Sequence, residues 1–101
     1  MVLRAERVLR LAENGEYNCE INGDTLTLNA EILIAGGWSN AYCHISNGWG
    51  RTKPAGLAFA ACGWRYTGRT VLDDEVLETG KGPRKPHLVH LQRIEAPTTG
   101  E

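Results

Sequence analysis

The hydrophobic pattern of the chain begins with a helical period. From Val2 to Ala12 the apolar residues fall mainly on one half of a helical wheel, and charged residues occupy most of the other half. Asn14-Gly15 then ends the pattern, because glycine accepts the left-handed conformation that closes many helices. The sequence therefore predicts an amphipathic N-terminal helix over residues 2–12.

Residues 16–34 change to a period of two, which is typical of strands with one buried face. Asn22-Gly23 divides this stretch and is a strong signal for a tight hairpin turn, since both residues tolerate positive φ. In the first run Tyr17, Cys19 and Ile21 share a face. In the returning run one face carries Leu26, Leu28, Ala30, Ile32 and Ile34. The pattern predicts a β-hairpin whose second strand continues to Ile34.

The middle of the chain contains one predicted strand and one segment that fits either a strand or a helix. A further strand is predicted at Asn40 to Ile45, before a glycine-rich loop. Leu57 to Tyr66 alternates as a strand would, but it also suits a helix with Pro54 in its first turn and Gly63 at its end. The glycine-rich β context around this segment favours the strand.

The segment after Tyr66 contains turn signals. Thr67-Gly68 predicts a turn. Val71 to Thr79 fits either a short helix closed by Gly80 or a hairpin that turns at Asp73-Asp74.

The last part of the chain predicts a loop, a strand and a tail. Gly80 to Pro86 is expected to be an exposed basic loop, and His87 to Ile94 a final strand. Residues 1–95 are predicted to form one domain, with a flexible tail at 96–101. The predicted fold class is α+β, with the N-terminal helix packed on a curved antiparallel sheet of about five strands, as a roll or half-open barrel.

Composition limits the class of protein. The 101 residues are 42% hydrophobic and 23% charged, as in ordinary folded domains. No apolar run reaches the ~20 residues that span a bilayer, and charged residues interrupt the N-terminal segment, so no membrane partner and a cytoplasmic location are expected. Three cysteines without close pairing predict free thiols.

The charges are segregated along the chain. The net charge of −1 excludes a generic polycation, but neither residues 33–71 nor residues 80–94 contain an acidic residue. Segregation of this kind can give a nearly neutral protein one positive face.

The stretch from Gly36 to Tyr66 combines all three tryptophans with glycines and basic residues. Tryptophan and arginine stack on nucleobases, and basic side chains attract phosphates. Trp49, between two glycines, is the best candidate for an exposed indole; the alternative is that the tryptophans fill the core. The predicted ligand-binding residues are Trp49, Trp64, Arg51, Lys53, Arg65, Arg69, Arg84 and Lys85.

Other chemistries have weaker support. Gly63 to Thr70 has the spacing of a phosphate-binding GxxxxGK[ST] loop with Arg69 in place of lysine, but bulky residues crowd it. No CxxC motif is present, and Cys43 and His44 would point to opposite faces of a strand. No metal or cofactor is therefore expected.

Catalysis is the third possibility. Cys43 or Cys62 could act with His87 or His90, although apolar surroundings should raise the thiol pKa. A small ribonuclease could instead pair His87 or His90 with Arg65 or Arg84.

The leading prediction is a small non-enzymatic binding module for an anionic partner, either single-stranded nucleic acid or a nucleotide. The alternative is a protein-interaction or self-associating module, a homodimer for example, that docks through the Trp49 loop, a sheet edge or the N-terminal helix. A Cys/His or ribonuclease-like enzyme is third.

Overall fold

A computed structural model of the chain describes residues 2–38, 49–72, 77–79 and 82–94. The fold is α+β, as predicted: helices accompany a four-stranded antiparallel sheet that does not close into a barrel. The predicted strand over 40–45 and the predicted tail over 96–101 lie outside the described residues.

The described helices are α1 (Val2–Glu13), α2 (Ala30–Ala35) and α3 (Pro54–Ala61), with a 3-10 turn at Glu16–Asn18. The predicted N-terminal helix is confirmed. It lies against α2, α3 and strand β1 (Glu20–Asn22), and its buried residues belong to the same core as the apolar residues of the sheet.

The sheet contains β1, β2 (Thr25–Leu28), β3 (Trp64–Val71) and β6 (His87–Arg93), in the order β1-β2-β6-β3. Strands β4 (Leu77–Thr79) and β5 (Gly82–Arg84) pair with each other in a separate ribbon. The described chain thus has six strands in two sheets, where the sequence predicted about five in one. The predicted hairpin is confirmed, but its first strand begins at Glu20 instead of Glu16, and its turn residues are Gly23 and Asp24, because Asn22 pairs with Thr25. The final strand is also confirmed.

The prediction that the second hairpin strand reaches Ile34 is wrong, because a helix begins after Asn29. The Asn29 side chain accepts a hydrogen bond from the backbone N–H of Ile32 at 2.9 Å, which caps the first turn of α2. The Asn29 amide also donates to the carbonyl of Tyr17 at 2.7 Å. One side chain therefore starts the helix and fastens the preceding loop to it.

The strand favoured for Leu57 to Tyr66 is also wrong over most of its length. Residues 54–61 form α3, with Pro54 in the first turn, and the chain turns at Gly63 with φ 94° before β3 begins. The helical alternative that the sequence left open is the observed structure. Thr67-Gly68 is not a turn but a β-bulge inside β3.

Two predictions for the C-terminal half need correction. Val71 ends β3 and residues 77–79 are extended, so the predicted helix over 71–79 is absent from the part of it that the structure describes. The hairpin turn predicted at Asp73-Asp74 lies outside the described residues. The predicted exposed loop is a strand at residues 82–84, and Pro86 is buried.

The core lies between the helices and one face of the sheet. Leu26 and Leu28 of β2 meet Leu91 and Val89 of β6 across the antiparallel register. An aromatic cluster continues this core beside α3. It contains Trp38, Trp49, Phe59 and Tyr66, and the centroids of neighbouring rings in it lie 5.7–6.3 Å apart. Burial of such large rings makes the cluster a major source of stability.

Candidate functional site

The face of the sheet turned away from the core is polar. The register places alternate side chains on this open face, because successive residues of a strand point to opposite sides. Its central members on the three longer strands are Thr25, Thr27, Arg65, Thr70, Leu88, His90 and Gln92. We call this surface the open face.

His90 lies at the centre of the open face between two hydroxyl groups. Its Nδ1 lies 3.4 Å from the hydroxyl of Thr27, and its Nε2 lies 2.7 Å from that of Thr70. Thr67, the extra residue of the bulge, donates its hydroxyl proton to the backbone carbonyl of His90 at 3.1 Å. The two ring contacts hold the imidazole between neighbouring strands, and the Thr67 bond holds the backbone of the same residue.

A groove with a volume of about 520 Å³ lies at the end of the sheet where β6 finishes. Its lining residues are Asp24, Arg65, Gln92, Arg93 and Ile94. We call this hollow the end groove. Its volume lies within the range of small-ligand sites in proteins, about 300–1,000 Å³.

The end groove contains two guanidinium groups held by neighbouring side chains. Arg65 donates from Nη2 to the side-chain carbonyl of Gln92 at 3.2 Å. The Nε atom of Arg93 lies 3.6 Å from a carboxylate oxygen of Asp24, and both side chains remain well exposed. With two arginines and one aspartate, the groove has a formal charge of +1.

Arg93 also contacts a buried indole. Its Cζ atom lies 4.4 Å from the centroid of the Trp64 ring, which is within cation–π range. Trp64 itself is only 4% exposed. The buried indole therefore packs against one side of the Arg93 guanidinium group, and the guanidinium is the group that reaches solvent.

The prediction that Trp49 is exposed is wrong. Trp49 is 6% exposed and its ring stacks between Phe59 and Tyr66, with 5.7 Å to each centroid. Trp38 is 2% exposed. The alternative that the tryptophans fill the core is the one observed, so none of the three indoles offers an open ring for stacking.

The predicted basic residues are divided between different parts of the surface. The bulge in β3 separates Arg65 from Arg69: Arg65 pairs in register with Gln92, and Arg69 with Val89 on the core side. The remaining cations lie elsewhere. Arg51 and Lys53 are exposed in the turn before α3, Lys85 is exposed before β6, and Arg84 belongs to β5, with its side chain outside the described set. Of the predicted residues whose side chains the structure describes, Arg65 lines the end groove, and Trp64 contacts Arg93, which also lines it.

Sequence reasoning missed Asp24, Gln92 and Arg93. The signal for Gln92 was present in the final strand, where His90 and Gln92 recur at every second position. Arg93 and Asp24 gave no local signal, because they lie far apart in the sequence. The backbone N–H of Arg93 donates to the carbonyl of Asp24 at 2.7 Å across the sheet. Only the strand pairing brings these residues together.

The described thiols are poorly suited to catalysis. Burial, with a contribution from Glu20, raises the pKa of Cys19 to about 11, and its thiol donates to the carbonyl of Thr27 at 2.9 Å. Burial and nearby Glu6 also raise the pKa of Cys62, as expected from the sequence. Cys43, the other predicted nucleophile, lies outside the described residues.

The two described histidines are on opposite faces of β6. His87 is buried on the core side, whereas His90 belongs to the open face. Within residues 2–38, 49–72 and 85–94, no three His, Cys, Asp or Glu side chains are grouped as metal ligands would be. Of the helices that the structure describes, none has the length and apolar character needed to cross a membrane.

Comparison with known proteins adds no relative: no family model, curated protein or solved structure matches this chain.

Proposed function

We propose that this protein is a small non-enzymatic binding module that holds an anionic partner, single-stranded nucleic acid or a nucleotide, on the open face and in the end groove. The observation that carries the proposal is the convergence of two exposed guanidinium groups, Arg65 and Arg93, on one groove. Arginine suits phosphate because its planar fork donates two parallel hydrogen bonds.

The rest of the open face suits an extended polar chain. Hydrogen-bonding groups lie next to the groove on neighbouring strands, which are about 4.8 Å apart. They are the hydroxyls of Thr25, Thr27 and Thr70 and the ring of His90. Hydroxyl and amide groups of this kind contact phosphates and sugars in nucleic-acid complexes. The open face can therefore guide a strand that begins in the groove.

The test is binding of a fluorescein-labelled single-stranded RNA decamer, followed by fluorescence anisotropy at 50 and 200 mM salt. We expect affinity to fall as salt rises, because each phosphate contact to a single strand contributes about −0.7 to the slope of log K against log salt. Arg65→Gln should lower the affinity at 50 mM salt about tenfold, which corresponds to about 1.4 kcal/mol for one lost charged contact.

Arg10→Gln is the matched control. Arg10 is an exposed residue of α1, away from the open face, and its replacement removes the same charge. We expect its affinity to stay within about twofold of the unmodified protein, since a distant exposed charge is screened by salt. An absence of binding to RNA and single-stranded DNA at 50 mM salt would refute the proposed function.

Protein interaction is a second candidate, favoured by strand β3. This strand is eight residues long and ends the order of the described four-stranded sheet. A long edge strand can pair with a strand of a partner. Size-exclusion chromatography with light scattering separates the two functions: a dimer that persists in 1 M salt, without any nucleic-acid binding, would favour association through this edge.

A further inference from the structure

We propose that Arg93 is the platform on which a nucleobase stacks and that Asp24 selects guanine. This inference rests on the proposed function and gives it a base preference. It also assigns roles to two residues that the aromatic and basic pattern of the sequence did not single out.

The platform follows from the contact between Arg93 and Trp64. A guanidinium group is planar, and bases stack on arginine planes as they do on aromatic rings. One side of the Arg93 group lies over the Trp64 indole at 4.4 Å, while its side chain remains 50% exposed. The indole fixes the arginine and leaves its solvent side available, so a buried tryptophan can still support stacking through the residue above it.

The base preference follows from Asp24. This residue lies in the β1–β2 turn, its side chain is 70% exposed, and it lines the same groove as Arg93. A carboxylate has acceptors only. Guanine presents two adjacent donors, N1–H and N2–H, on its Watson–Crick edge, and these can bind both carboxylate oxygens at once.

The other bases fit a carboxylate less well. Adenine, cytosine and uracil each place at least one acceptor next to the single donor on that edge. An acceptor facing a carboxylate is repelled and left without a hydrogen bond, which is the situation that recognition sites use to reject a wrong ligand. We therefore expect Asp24 to prefer guanine to the other three bases.

The phosphate of the same nucleotide is assigned to Arg65. This residue lines the end groove from the open face, and its hydrogen bond to Gln92 holds the guanidinium in place. The groove volume of about 520 Å³ is sufficient for one nucleotide. The arrangement is a base on Arg93, its edge at Asp24, and its phosphate at Arg65.

The experiment uses the full chain and four labelled RNA decamers: ten uridines, and the same decamer with one central guanosine, adenosine or cytidine. At 50 mM salt we expect the guanosine decamer to bind about tenfold more tightly than the other three, since one good bidentate contact gives discrimination of this order. Asp24→Asn should reduce this preference to within about twofold, because an amide offers one acceptor and one donor, while all four decamers continue to bind.

Arg93→Lys tests the platform. Lysine keeps the positive charge and loses the planar group, so we expect each decamer to bind about three- to tenfold more weakly. Arg10→Lys makes the same chemical change on α1 and should leave binding unchanged. Urea unfolding midpoints of all variants establish that each is folded.

Equal binding of the four decamers, or a guanosine preference that survives Asp24→Asn, would overturn the selection of guanine and leave the proposed function standing. Binding unaffected by Arg93→Lys would overturn the platform. An absence of binding to all four decamers would instead refute both this inference and the function on which it rests.

Discussion

Gly56 allows α3 to approach the backbone that carries the buried Trp49. It is the third residue of α3, and a Cβ atom built on it would overlap the backbone carbonyl oxygen of Gly50. The obstacle is main chain, which cannot rotate away as a long side chain can. Gly56→Ala must therefore displace either the helix or the turn that begins at Gly50.

The expected magnitude comes from two opposing terms. In an open helix, replacing glycine by alanine stabilises by about 0.8–1 kcal/mol. Forcing an extra carbon into a packed site costs about 1–3 kcal/mol, and overlap with backbone belongs near the upper end of that range. We therefore expect Gly56→Ala to lower the free energy of unfolding by about 1–2 kcal/mol, the opposite sign to the helix-propensity effect alone.

The assay is urea unfolding followed by tryptophan fluorescence, with the midpoint shift converted at constant m value. A displaced turn should also expose Trp49 and move its emission to longer wavelength. Gly68→Ala is the matched control, because nothing lies within 4 Å of a Cβ at that position. It should be neutral or stabilising by up to about 1 kcal/mol. A Gly56→Ala variant at least as stable as the unmodified protein would refute the reasoning.

Three further predictions test other contacts. Asn29→Ala should destabilise by about 1–2 kcal/mol and Asn29→Asp by less, because Asp keeps the helix cap but loses the bond to Tyr17; equal unfolding midpoints would contradict this. Cys19, with a pKa near 11, should alkylate with iodoacetamide at pH 8 about 100-fold more slowly than in urea, and its rate should keep rising above pH 9; peptide mass spectrometry measures both. Gly36→Ala should clash with the Val8 side chain. The double variant with Val8→Ala should therefore be more stable, by more than about 0.5 kcal/mol, than the sum of the two single effects on the free energy of unfolding predicts; additive effects in urea unfolding would exclude the contact.

The sequence was informative where one local rule governed a segment. The apolar stripe of α1 and the hairpin indicated by Asn22-Gly23 depend on neighbours close in the chain, and both are present, with the turn one residue later at Gly23-Asp24. The prediction for residues 30–35 was wrong because their alternating apolar residues resemble a strand. The cap at Asn29 instead starts a helix that buries Ile32 and Leu33. Periodicity over six residues is weak evidence when a capping residue precedes them.

The candidate site was less accessible to sequence reasoning. Trp49 looked exposed because glycines flank it in the sequence, but Gly56 allows α3 to approach the backbone of Gly50, and the Trp49 ring is buried. The clustering of basic residues in the sequence did not become clustering in space, since the bulge changes the side of Arg69. Arg93 and Asp24 meet through pairing between strands far apart in the chain, which no local pattern records.

The bulge at Thr67 has a consequence for how this surface can change in evolution. Every residue of β3 after it is shifted by one step relative to β6. Loss of Thr67 would make the strand regular and leave the pairing of residues 68–71 with β6 unchanged, so Arg69 would stay on the core side, opposite to Arg65. With all residues retained, pairing without the bulge would instead place Arg69 on the side of Arg65, so the number of arginines on the ligand side depends on strand register as well as on composition.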